Sequence, residues 1–123
     1  MKYLNQITAT IFSLPFLIFG ANYFFNFIPM PAPAPDSQVA AFMGVLYATK
    51  YMLVVKILEI TLSTMILVNI KRALALVLIT PIVVNILLFE LFIAQQPGIG
   101  VILILINLFL LYRYKDNYLP ILK

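Results

Sequence analysis

Apolar residues run almost without interruption along this chain, and the few polar or helix-breaking positions divide them into segments. The first apolar run extends from Ile7 to Ile28, broken only by Pro15 and Gly20 among its strongest helix breakers. Pro29, Pro31, Pro33 and Pro35 follow; four prolines remove donors and fix φ, so residues 29–36 should form an extended linker. Asp36-Ser37 supplies a helix N-cap signal. Beyond it Val39, Phe42, Met43, Leu46 and Tyr47 recur at helical spacing. Further apolar segments cover about 51–70, ended by Lys71-Arg72, about 73–94, ended by Gln95-Gln96-Pro97-Gly98, and about 99–114.

The pattern predicts an all-α membrane protein: a four-transmembrane-helix bundle with spans at about 7–28, 51–70, 73–94 and 99–114. A helix running unbroken from Ser37 to Ile70 would be ~50 Å long at ~1.5 Å per residue, against a hydrocarbon core of ~30 Å. A short interfacial or re-entrant helix over 37–48 with a bend near Thr49-Lys50 is therefore expected, and a long protruding helix is the alternative. Ala32-Pro33-Ala34 resembles a signal-peptidase site, but the apolar run before it exceeds a signal h-region and Pro35 would follow the cut. The first segment reads as an uncleaved span, and residues 1–123 as a single membrane domain.

Composition agrees. Hydrophobic residues make up 64% of the 123 and charged residues 10%, and the mean hydropathy is +1.09. A soluble domain needs roughly 25% charged residues, so lipid must be the solvent. The sequence contains no Cys, His or Trp, which excludes disulfides, thiol redox chemistry, His-ligated haem and ordinary zinc or copper sites. Its four carboxylates, Asp36, Glu59, Glu90 and Asp116, make a poor metal set, and no cofactor is built in.

The net charge of +4 has a topological meaning. If each span reverses direction, Lys2, Lys71, Arg72, Arg113, Lys115 and Lys123 share one side, and Lys50 lies on the other. By the positive-inside rule both termini are cytoplasmic in a multi-pass inner-membrane protein. The basic residues thus serve topology, and no nucleic-acid partner is expected.

Polar groups within the spans carry the candidate chemistry. Charges in hydrocarbon cost at least ~2.5 kcal/mol each, so each needs a reason. Asn22, Lys56, Glu59, Asn85 and Glu90 all fall within ~14 Å of the outer surface at ~1.5 Å per residue. Lys56 and Glu59 are three apart and share a helical face. They either neutralise each other between helices or, with Asn22 and Asn85, line an outward-opening pocket. Glu90 lies about 140° around the helix from Asn85 and can snorkel outward. Asn107 suggests an interhelical hydrogen bond. Tyr23, Phe24, Phe25, Phe27 and Tyr51 read as an aromatic belt.

Phe19-Gly20-Ala21-Asn22-Tyr23-Phe24, Lys56-x-x-Glu59, the stretch from Pro81 through Asn85 to Phe89-Glu90, and Tyr112-Arg113-Tyr114-Lys115-Asp116-x-Tyr118-x-Pro120 together resemble the DoxX-like family over nearly the whole chain. The resemblance implies a small four-helix membrane protein. The family is named after a subunit of a thiosulfate- or quinol-linked oxidase, and some relatives act as assembly or cargo factors. Glu90 stands where many members carry a His, so the resemblance supports a proton or quinone role there less than at Lys56, Glu59 and Asn85, which match; Glu90 stays with Asn22 among the candidate ligand-binding residues.

Two functions compete. One is a binding subunit that holds a quinone or similar lipid-soluble molecule for a partner membrane oxidoreductase. The other is a non-catalytic assembly protein or homo-oligomer whose Lys56–Glu59 pair is structural. A transporter would want a continuous polar file, and the inner half offers little beyond Ser63, Thr64 and Asn69. A self-contained enzyme lacks a redox centre or a nucleophile–base pair.

Overall fold

The computed structural model describes residues 3–122; Lys2 and Lys123, used in the orientation count, lie outside them. The described chain is helical, with no strand among the described residues. Helix α1 spans Leu4–Phe25 and contains Pro15. It stops three residues before the sequence pattern does, because Asn26 adopts the left-handed conformation at φ 52° and the Asn22 carboxamide turns back to the departing chain. Asn tolerates that conformation better than other non-glycine residues.

The proline-rich segment then runs to Ser37. Its hydroxyl accepts from the Ala40 N–H at 3.1 Å and so caps α2, Gln38–Ala48. The break before α3 falls at Thr49-Lys50, with Lys50 at φ 62°. Helix α3 covers Tyr51–Val68 and α4 covers Arg72–Leu88, continued by a widened π turn over Phe89–Ile93. After the Gln95–Gly98 connection, α5 spans Ile99–Arg113, followed by a 3₁₀ turn at Lys115–Asn117 and the short α6, Leu119–Leu122.

Three helical stretches are long and apolar enough to cross a membrane: Leu4–Phe25, Tyr51–Val68 and Arg72–Ile93. Helix α5 is equally apolar but shorter, at 15 residues.

These four helices close into a ring. Helix α1 packs on α3, α3 on α4, α4 on α5, and α5 back on α1. Phe12 and Phe16 of α1, Ile66 of α3, Leu76, Ile79 and Val83 of α4, and Leu110 of α5 fill the centre. Most other large apolar side chains point outward, the reverse of a water-soluble bundle and what an apolar solvent permits. Helix α2 packs on α3 and buries none of its residues completely.

Candidate functional site

Two cavities occupy the end of the ring away from the α1 N-terminus, and Lys56 and Phe19 line both. The first, of about 170 Å³, lies between the four ring helices; its walls include Pro15, Phe16, Glu59, Ile86 and Leu103. The second, of about 310 Å³, lies under α2 and is lined by Asn22, Tyr23, Asn26, Met30, Met43, Tyr47 and Met52. A close approach of α1 to α3 sets their shared wall. A Cβ added at Gly20 would sit 2.6 Å from Ile60 Cγ1 and 3.9 Å from the Lys56 carbonyl oxygen, so only glycine lets these helices meet so closely.

Lys56 Nζ stands 3.1 Å from Glu59 Oε2, and the two side chains are 17% and 6% exposed. Oε2 receives no hydrogen bond of good alignment, so the contact is an ion pair held by charge. Lys56 borders both cavities beside its counter-ion. Asn22, also buried, uses Oδ1 to accept the Ile28 N–H at 2.7 Å, so this oxygen serves the end of α1 while the amide lines the larger cavity.

Part of that cavity's wall is aromatic. The Tyr23 and Tyr47 rings stack with centroids 5.5 Å apart. Burial, and secondarily the neighbouring Tyr23 hydroxyl, push the Tyr47 phenol above its usual range, so it is a neutral hydrogen-bonding group at neutral pH. Met30, Met43 and Met52 come from the linker, α2 and α3. Thioether side chains adapt to irregular apolar ligands.

Two of the five sequence-predicted residues lie elsewhere. Asn85 is exposed on the outer face of α4 and lines neither cavity. Glu90 folds back onto the start of α5: Oε1 accepts from the Gly98 and Gly100 N–H groups at 3.0 Å each, and Oε2 accepts from Gly100 at 3.1 Å. It is a helix cap and does not snorkel. Asn107, expected to bond across helices, is fully buried with no side-chain partner among the described residues.

The sequence reading missed the methionines and Tyr47 because they converge from three separate elements, and no periodicity within one segment announces that. It also assigned Arg72 to topology alone, although Arg72 is buried. Its Nε donates to the Ile66 carbonyl at 2.6 Å, one Nη to Gln6 Oε1 at 2.6 Å, and the other to the Tyr114 hydroxyl at 3.2 Å.

No family model, curated protein or solved structure matches this chain.

Proposed function

We propose that this chain is a four-span membrane protein whose outer half binds a lipid-soluble, carbonyl-bearing molecule such as a quinone, on behalf of a partner membrane oxidoreductase. In this reading α5 is the fourth span, and its ~22 Å length at ~1.5 Å per residue is extended by Tyr112 and Arg113 reaching for the interface. Helix α2 lies at the outer interface, and the end bearing Lys71, Arg72, Arg113 and Lys115 faces the cytoplasm of an inner membrane. The DoxX-like resemblance implies the same architecture and a similar partner.

One observation carries the reading: the Lys56 side chain is a wall of both cavities. The Lys56 ammonium, 3.1 Å from Glu59, can donate to a carbonyl in the larger cavity without leaving its counter-ion. The aromatic and thioether walls suit an apolar ring and tail. Asn22 has its amide N–H groups left to donate, because its oxygen is committed to Ile28. That same commitment favours the second reading, an assembly protein in which Asn22, Lys56 and Glu59 serve architecture only.

A thermal-shift titration of the purified protein with a short-tailed benzoquinone separates the two. At a hundred times its dissociation constant, a ligand stabilises by about 2.7 kcal/mol. The shift should appear in the wild type and vanish in the Lys56→Met, Glu59→Leu double variant. Absence of a wild-type shift with benzo- and naphthoquinones would leave the assembly reading standing.

A further inference from the structure

We infer that the outward face of α4 is a homodimer interface within the membrane, joined by a hydrogen bond between Asn85 and the same residue of a second copy. Of the three long apolar stretches, the one containing α4 buries the smallest share of its residues. Five of its exposed residues form an ordered row, with the exposed Val77 and Val84 beside it. Leu74, Leu78, Pro81, Asn85 and Leu88 are all exposed, and they follow one another at spacings of four, three, four and three. That is the 3.5-residue repeat of a helix presenting one seam to a partner helix. On this face Asn85 is the single polar residue.

Its depth makes it costly alone. Asn85 is ~20 Å along α4 from Arg72, at ~1.5 Å per residue, and Arg72 belongs to the basic end. That puts the amide inside a ~30 Å hydrocarbon layer, beyond easy reach of headgroups at either surface. Its side chain makes no hydrogen bond to any described residue, and it lines neither cavity, so a ligand held at Lys56 does not satisfy it. An amide in hydrocarbon without a partner carries a large desolvation penalty, and in membranes Asn side chains hydrogen-bond across helices.

A second copy fits better than a different protein. A carboxamide has both donors and acceptors, so two Asn85 side chains facing each other across a two-fold axis satisfy one another reciprocally. The seam has no charge that would select an unlike partner. A lone Asn in an otherwise apolar heptad seam is also the feature that fixes register and oligomeric state in coiled coils.

The absence of cysteine makes single-cysteine crosslinking of the full-length protein in liposomes clean. Leu78→Cys and Leu88→Cys should form disulfide dimers on mild oxidation, and Leu105→Cys, exposed on α5, should not. Fluorescence energy transfer between singly labelled copies should give a dissociation constant that rises about 3- to 30-fold in Asn85→Leu, the span expected from measured interhelical polar contacts, and stays near wild type in Asn85→Gln. The monomer's melting temperature should not fall in Asn85→Leu, because the residue is exposed and its side chain bonds to no described residue. A monomeric wild type, equal crosslinking at position 105, or an unchanged dissociation constant in Asn85→Leu would each overturn the dimer. None of these readouts depends on quinone.

Discussion

Arg72 reaches back across the α3–α4 turn to the last turn of α3, where its Nε donates to the Ile66 carbonyl at 2.6 Å and one Nη donates to the Leu67 carbonyl at 3.3 Å. The last carbonyls of a helix have no partner within it and carry the negative end of its dipole. A buried guanidinium there is compensated by backbone dipoles; no carboxylate pairs with it among the described residues. The same group holds Gln6 and Tyr114, so it ties α1, α3, α4 and the end of α5 together.

Arg72→Lys should therefore be costly although it keeps the charge. Lysine lacks the planar fork that reaches both carbonyls and Gln6 at once. With the Ile66 carbonyl left unsatisfied, at ~1–3 kcal/mol, and the bond to the exposed Gln6 lost as well, a loss of about 2 kcal/mol is expected. Melting in detergent would measure it, and Gln6→Leu should cost about 1 kcal/mol. A lysine variant as stable as wild type would mean that the network contributes little.

Much of this was legible in the sequence, and the boundary of what was not is physical. The long apolar runs, the proline linker and the Thr49-Lys50 break follow from composition and local backbone chemistry, which act within a few residues. The pairing of Lys56 with Glu59 follows from spacing on one helix. Burial of Arg72, the inward turn of Glu90 and the outward face of Asn85 depend on how four near-uniformly apolar helices rotate against one another. Hydrophobic periodicity cannot report that rotation when lipid and core are equally apolar.

Glu90 and Gly100 should behave as one unit. The carboxylate caps the N-terminus of α5 from eight and ten residues upstream, where negative charge meets the positive end of the helix dipole. Glu90→Ala should cost about 1–2 kcal/mol. A Cβ at Gly100 would fall 2.6 Å from Glu90 Oε1 and 3.2 Å from the Leu87 Cα, so Gly100→Ala should expel the carboxylate and cost at least as much. The double variant should lose less than the sum of the two; strict additivity would show that the cap and the glycine are independent.

Asn107 should be better replaced than kept. Both polar atoms of its side chain are buried and unpartnered among the described residues, each at a cost of ~1–3 kcal/mol. Leucine has the same skeleton branched at Cγ, with bulkier methyl groups, and no such cost. Asn107→Leu should raise the melting temperature, whereas an interhelical hydrogen bond, as the sequence suggested, would make the same change destabilising. The sign of the shift decides between them.

The Lys56–Glu59 pair gives the sharpest contrast between architecture and binding. Removing one member of a buried pair leaves the other uncompensated, at ~3–5 kcal/mol. Glu59→Gln should therefore destabilise the protein by an amount toward the low end of that range, because Lys56 keeps 17% of its side chain exposed and can turn toward the larger cavity. Replacing both, Lys56→Met with Glu59→Leu, should recover most of the loss, since apolar side chains of similar volume substitute well for buried ion pairs. If single and double variants melt alike, the charges are uncoupled and the 3.1 Å contact contributes nothing. If the double variant is as stable as wild type yet loses the quinone-induced shift, the pair is dispensable for folding, and its presence in the wall between two cavities is explained by binding.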